Sequence, residues 1–231
     1  MMEKGMDAKA LWNAPKERGG VPLSANVPII KARTTMDGIL FTAARYKFVV
    51  KMLAPHKHAT ALELGCNNGF GTRYLRQRCD LDYLLGIDFD HDAIEIAKAE
   101  VADDICEFRE DDFLGKDYLS GRAQGGYDCI YSMDVIEHIP QSDEQAFVDT
   151  IWQNLAPDGF VVIGTPNVTM YPYASPWNKQ RHINNFDQQR LHSLLSTRFS
   201  QVFMFGMTDE VLHTGFDPMC CYIMALACQK K

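Results

Sequence analysis

Apolar residues first recur at helical spacing between Met36 and Leu53, where Ile39, Leu40, Ala43, Tyr46, Phe48, Val49, Val50, Met52 and Leu53 predict one long helix. Beyond it the pattern shortens to apolar runs near 60–65, 83–88, 105–109, 127–133 and 159–165, each of strand length. Helical stretches separate them: 70–78, then 91–101 with Ala93, Ile94, Ile96, Ala97 and Val101 facing inward. Ser142-Asp143-Glu144-Gln145 reads as a capping box for a helix carrying Phe147, Val148, Ile151, Trp152 and Leu155. Asp187 is placed to cap another with Leu191, Leu194 and Leu195, and two last strands run near 201–206 and 219–228. Such alternation predicts an α/β fold: a mostly parallel sheet with helices on both faces. At 231 residues the chain fits a single domain. An irregular arm is expected over 1–36, where Pro15, Gly19-Gly20, Pro22 and Pro28 break any period, and a core over 37–228. Two connections, Asn167 to Asn184 and Met207 to Pro218, are longer than compact domains normally use. The first leaves the carboxyl end of the fifth strand, where ligands bind in open α/β sheets, and is expected to be a substrate lid.

The first strand runs into Gly65-Cys66-Asn67-Asn68-Gly69-Phe70-Gly71 and then into a helix. Glycines there let a small molecule lie against bare backbone. Asp88 follows Gly65 by 23 residues and ends the second strand, a position from which a carboxylate accepts hydrogen bonds from ribose hydroxyls. A dinucleotide fingerprint would need glycines at 67 and 70, where the chain has Asn67 and Phe70. No Gly-Lys-Ser/Thr follows to make a P-loop. A nucleoside without phosphates fits, which points to S-adenosylmethionine.

At this point the chain resembles the class I (Rossmann-like) S-adenosylmethionine-dependent methyltransferases. The resemblance is carried by Leu62-Glu63-Leu64-Gly65-Cys66-Asn67-Asn68-Gly69, by Gly86-Ile87-Asp88, by Glu110-Asp111-Asp112-Phe113, and by Tyr127 to Met133 followed by Asp134-Val135-Ile136-Glu137-His138. Leu155-Ala156-Pro157-Asp158-Gly159 and Val161 to Asn167 match the family's turn and fifth strand. The match spans roughly residues 40 to 228, and Asn67 replaces the usual middle glycine, a residue that tolerates the left-handed conformation. The family implies a sheet of seven strands in the order 3-2-1-4-5-7-6, the last antiparallel. It implies that Glu63 orders the turn or reaches the cofactor's amino end through water, and that Gly65, Cys66 and Gly69 offer backbone to the methionine portion. Asp88 should hold the ribose and Phe89 the adenine face. Asp112, or Asp111 on a one-residue register shift, should accept from the adenine amino group beside the Phe113 amide. Ser132 and Met133 should line the cofactor. On the first helix Arg45, Tyr46 and Lys47 either reach the methionine carboxylate or form a solvated face with one packed tyrosine.

Net charge is −7 and no Lys/Arg cluster appears, so a nucleic acid acceptor is disfavoured. Seven cysteines without paired CxxC spacing read as small core residues in a reducing compartment. Met1 to Asp7 lacks the apolar core of a signal peptide and no segment reaches membrane-spanning length, so a cytoplasmic protein without membrane association is expected. A small-molecule acceptor is the expected partner, with room for a homodimer.

Transfer to a hydroxyl needs a base, and His138, directly after the fourth strand, is the first candidate; His182 on the lid is the second, and His213 on the other long loop follows. A structural role for His138, tying loop to sheet, is the competing expectation. Asp134 with Asn167 makes only a thin case for a metal, and none is expected. The residues after the fourth strand lack the signatures of exocyclic DNA-amine and arginine methylation, and no Pro-Cys nucleophile for cytosine C5 occurs. Gly164-Thr165-Pro166-Asn167 and Arg181 to Phe186 resemble methyltransferases associated with glycan and capsule biosynthesis, which implies O-methylation of a sugar, nucleotide-activated or polymer-linked. Tyr171, Tyr173 and Trp177 are candidates to stack on it. The alternatives are a quinone, lipid-precursor or secondary-metabolite methyltransferase, and a non-catalytic scaffold that keeps the cofactor fold.

Overall fold

Strands covered on both faces read as continuous apolar runs, and the central strands here do. In the computed structural model, which describes residues 17–18, 21–22, 36–119 and 121–231, β1 (Ala59–Leu64) lies between β2 (Leu81–Asp88) and β4 (Tyr127–Met133), parallel to both. Outside them come β3 (Cys106–Glu110) on one side and β5 (Leu155–Pro166) on the other. β8 (Tyr222–Lys230) inserts antiparallel between β5 and β6 (Phe199–Thr208). The edge is β7 (Val211–His213), antiparallel to β6, giving the order β3-β2-β1-β4-β5-β8-β6-β7.

Seven of these strands have the expected arrangement, antiparallel insertion included. The eighth, β7, lies inside the connection expected to be a loop. Asp209 adopts φ +51, and that left-handed step reverses the chain into a hairpin. The other long connection is also structured: a 3₁₀ turn over Val168–Tyr173, then α5 (Pro176–Arg181).

Successive strand residues point to opposite faces, which divides the core. Leu62, Leu64, Leu85, Ile87, Ile130, Val161 and Ile163 face α4 (Glu144–Asn154) and α6 (Gln188–Leu195). Ala61, Leu84, Cys129, Tyr131 and Val162 face α1 (Met36–Leu53), α2 (Phe70–Arg76) and α3 (His91–Glu100). Asp187 caps α6, accepting from the Arg190 amide at 2.7 Å. The capping box expected at Ser142 is absent: Gln141–Asp143 form a 3₁₀ turn, and the Ser142 hydroxyl donates to Asp143 instead. The expected N-terminal arm lies outside the described residues, except for a two-residue antiparallel pairing of Glu17–Arg18 with Val21–Pro22. Among the described residues no helix is long and apolar enough to cross a membrane.

Candidate active site at the carboxyl edge of the sheet

Parallel strands end their β-to-α turns on one edge, so residues distant in sequence meet there. The turn after β1 is wound by three left-handed residues, Gly65 at φ +82, Asn67 at +48 and Gly69 at +77. Asn67 thus adopts the conformation for which the family uses glycine. A Cβ on Gly65 would lie 2.2 Å from Val135 Cγ2, so this glycine lets the turns after β1 and β4 nest together. The Gly65 and Cys66 amides both donate to the Ile87 carbonyl, at 2.8 and 3.0 Å, and the Gly69 amide donates to Cys66. These N–H groups serve the turn itself.

Asp88 is 6% exposed, and its carboxylate accepts from the Asn67 amide at 2.7 Å and the Asp90 amide at 2.9 Å. Two amides orient this anion at the strand end, next to the bare turn. A carboxylate there repels a phosphate and suits hydroxyl donors, so the donor set fits a nucleoside such as the adenosine of S-adenosylmethionine. Phe89 follows it, half-buried. Asp111 is engaged within its own loop, accepting from the Tyr118 hydroxyl at 3.2 Å and pairing with Lys116 at 3.6 Å. Asp112 is half-buried and accepts from the Leu114 amide at 3.5 Å. The Phe113 ring packs into the core against Phe147, centroids 6.0 Å apart. Ser132 is buried and donates to the Leu64 carbonyl at 2.8 Å, joining β4 to β1.

Glu63 lies beneath the turn, wholly buried. Hydroxyls from three elements donate to it: Tyr46 of α1 at 2.8 Å, Tyr131 of β4 at 3.0 Å, and Thr72 of α2. These contacts tie α1, α2 and β4 together beneath the turn. Burial raises its pKa to about 7, helped by the nearby Asp88 charge and opposed by the three hydroxyls. Below pH about 4.5 Glu63 is protonated whether the chain is folded or not. Between 4.5 and 7 the unfolded chain ionises it first, so stability falls as pH rises through that window. Glu63→Gln is expected to remove this dependence, so that the variant gains about 3 kcal/mol relative to the wild type between pH 4.5 and 7. Urea unfolding at several pH values tests it, and a pH-independent difference would refute it.

On α1, Tyr46 is a core residue and Lys47 is exposed. Arg45 turns to the carboxyl edge of the sheet, pairing with Asp134 and stacking 3.8 Å above the Tyr222 ring. Asp134 itself sits at φ +59, a strained conformation for a residue with a side chain, directly after β4. The 3₁₀ turn Ile136–His138 follows. Glu137 on it is 1% exposed; one carboxylate oxygen accepts from the Thr165 hydroxyl at 2.9 Å, and the other, Oε1, has no partner. Burial and the charge of Asp134 raise its pKa. Glu137 was not among the expected site residues. Its signal was present as an acidic residue beside His138 within the turn that ends the fourth strand, where a buried carboxylate is costly unless something holds it.

His138 Nδ1 lies 3.0 Å from the Arg181 carbonyl. A carbonyl only accepts, so Nδ1 carries the hydrogen and Nε2 keeps the lone pair. The His182 ring stands edge-on to His138, centroids 5.0 Å apart at 81°. Burial lowers the His138 pKa to about 4, with His182 adding to the effect, and burial lowers that of His182 as well. Both imidazoles are neutral at pH 7. One donor atom from each of Glu137, His138 and His182 lies within 4.8 Å of the others. Such a trio can accept a proton or coordinate a divalent cation. The two base candidates have therefore come together from the turn after β4 and the end of α5, while His213 stays in the β7 hairpin beside Thr208 and Cys220. The Asp134–Asn167 pairing does not form: Asn167 donates to the Asp217 carbonyl at 2.8 Å and caps the 3₁₀ turn.

Next to His182 is a cavity of 160 Å³ lined by Asn167, Met170, Tyr171, Tyr173, Asn178 and Asn185 among others. Arg181 stacks on Trp177 at 3.6 Å and occupies one face of that ring, whereas Tyr173 is 81% exposed.

Residues 36–198 match the family described as "Methyltransferase domain". A curated relative, the small RNA 2'-O-methyltransferase of Mus musculus, is 26% identical over 136 residues, covering 55% of this chain and 34% of the mouse protein. The chain thus aligns with about a third of that relative's length. Among solved structures, the methyltransferase domain of bacterial CtHen1-C superposes with a TM-score of 0.65 at 18% identity, covering 83% of this chain and all of that one. The phosphoethanolamine N-methyltransferase 2 of Haemonchus contortus, in complex with S-adenosyl-L-methionine, gives 0.64 at 15% identity over 81% of this chain and 52% of that one. At these identities the solved structures establish the fold, and the family match establishes the class. The chain belongs to the methyltransferase-domain family.

Proposed function

We propose that this enzyme O-methylates a sugar hydroxyl on a nucleotide-activated or polymer-linked precursor of the glycan and capsule kind. The observation that carries the proposal is the pairing of two imidazoles, His138 and His182, beside a cavity whose lining mixes tyrosine rings with side-chain amides. Amides donate to and accept from hydroxyls, and an exposed tyrosine offers a flat apolar face to a sugar ring. The mouse relative is named for a 2'-oxygen on RNA, itself a sugar hydroxyl. An RNA chain is a poor acceptor here because net charge is −7 and no basic cluster is available for its phosphates.

S-adenosylmethionine supplies a methyl group on a cationic sulfur. The residues fitted to hold it are Asp88 and the bare turn over Gly65–Gly69, with Phe89, Asp112 and Phe113 flanking the adenine side. The chain's own contribution is to hold the acceptor hydroxyl at the edge of β4 and relieve it of its proton. In the simplest form a neutral imidazole takes that proton, with His182 facing the cavity and His138 set by the Arg181 carbonyl. The 3₁₀ turn and α5 would exclude water around the acceptor.

Isotopically labelled cofactor, offered with a panel of sugar nucleotides, oligosaccharides, phenols and amines, tests the acceptor class by mass spectrometry. Methyl transfer to a sugar oxygen is expected, and turnover confined to phenols or amines refutes it. The cofactor assignment is tested separately. Asp88→Ala should weaken S-adenosylmethionine binding about 30-fold by calorimetry, the loss of roughly 2 kcal/mol of charge-assisted hydrogen bonding. Unchanged affinity would remove Asp88 from the site.

A further inference from the structure

Glu137 poses a problem that a proton-accepting histidine pair leaves unsolved. A carboxylate oxygen is buried with no hydrogen-bond donor, in the turn that follows β4. Leaving such an acceptor bare is costly, yet everything around it is arranged to keep it in place. Thr165 at the end of β5 donates to its other oxygen, at 2.9 Å. The Arg181 carbonyl fixes the His138 ring so that Nε2 carries the lone pair. Orienting contacts of this kind, a hydroxyl on a carboxylate and a backbone carbonyl on an imidazole N–H, are those that position metal ligands. His182 completes the group, and the donor atoms of all three residues lie within 4.8 Å of one another.

We infer that Glu137, His138 and His182 form a binding site for a first-row divalent cation, which takes the acceptor hydroxyl as a further ligand. Two imidazoles and one carboxylate favour manganese, iron, cobalt or zinc over magnesium or calcium, which prefer oxygen donors. Three protein ligands leave coordination positions open, and the cavity beside His182 is where a further ligand enters. The inference rests on the reading of this edge as the place where a hydroxyl is activated, and it specifies how. Coordination lowers the hydroxyl's pKa, so its proton passes to solvent water and not to a ring nitrogen. The oxygen then forms the new C–O bond as the S–CH₃ bond breaks, and the sulfur keeps the electron pair as neutral S-adenosylhomocysteine. Asp134, three residues before Glu137, is paired with Arg45, whose charge offsets its own pull on a cation.

Manganese binding to the metal-stripped full chain, read by the loss of the free Mn²⁺ signal in electron paramagnetic resonance, needs neither acceptor nor cofactor. One equivalent bound by the wild type is expected, weakened at least tenfold in His182→Ala and in Glu137→Gln. His182 is the safer probe because it lies on the lid, and retained S-adenosylmethionine affinity shows that the variants fold. Co²⁺ and Zn²⁺ titrations extend the test. Absence of binding by all three metals, or binding that both substitutions leave unchanged, overturns the inference. In that case chelator-resistant methylation of a sugar would leave the proposed function standing with an imidazole base. Metal binding at this trio with turnover confined to phenols or amines would support the site and refute the sugar.

Discussion

Replacing His182 by alanine is expected to lower kcat by about 10²- to 10⁴-fold, equivalent to roughly 3–5 kcal/mol at the transition state. The argument is positional. His182 reaches the carboxyl edge of β4 from the end of α5, packs edge-on against His138, and also lines the cavity beside it. No contact joins it to the turn over Gly65–Gly69 or to Asp88 among the hydrogen bonds of the described residues, so S-adenosylmethionine affinity should change by less than about threefold, a difference under 1 kcal/mol. The side chain is only partly buried, so the thermal midpoint should fall by a few degrees at most, about 1 kcal/mol. A split of this kind, with kcat lost while cofactor affinity and fold remain, is what a purely structural histidine would not produce. Single-turnover rates with saturating cofactor, beside calorimetric cofactor titration, read the two quantities separately. Equal losses in both would place His182 in the scaffold.

The sheet was legible because each strand buried on both faces must be apolar throughout, and each helix only on one stripe. The run Tyr127–Met133 therefore appears in the structure with the bounds its composition implies. β7 was illegible for the converse reason: three residues, of which Val211 is 61% exposed, leave no alternating signature, and the hairpin depends on one left-handed residue, Asp209. Ser142 misled because a capping sequence reports what a helix start can use, not where the chain enters it. The glycine turn and Asp88 were readable as a site because backbone conformation and strand ends are local properties. The Glu137–His138–His182 trio was only half readable. Glu137 and His138 are neighbours, but the 43 residues between His138 and His182 are bridged by tertiary packing, with the Arg181 carbonyl as the link. A buried acceptor lacking a donor is a three-dimensional fact with no sequence signature.

Gly71 brings sequence, packing and site together in a single substitution. Glycine within a helix is ordinarily a weakness, and alanine there gains about 1 kcal/mol. Gly71→Ala is expected to do the opposite here and to destabilise the protein by about 3–5 kcal/mol. Its Cβ would fall 1.9 Å from Tyr46 Cε1 and 2.0 Å from Cζ, well inside contact distance. The ring cannot give way cheaply, because Tyr46 is 7% exposed, sits edge-on to Tyr131 and donates its hydroxyl to Glu63. Displacing it would add overpacking strain to the loss of one of the three donors holding a buried carboxyl group. Denaturant unfolding of Gly71→Ala, Tyr46→Ala and the double variant forms a cycle that isolates the cause. If the collision is responsible, alanine at 71 costs little once Tyr46 is truncated, and the two losses fall well short of adding. Fully additive losses, or a neutral Gly71→Ala, would mean that α1 slides freely over α2. The tie from α1 through Tyr46 and Glu63 to the cofactor turn would then be looser than the buried hydrogen bonds require.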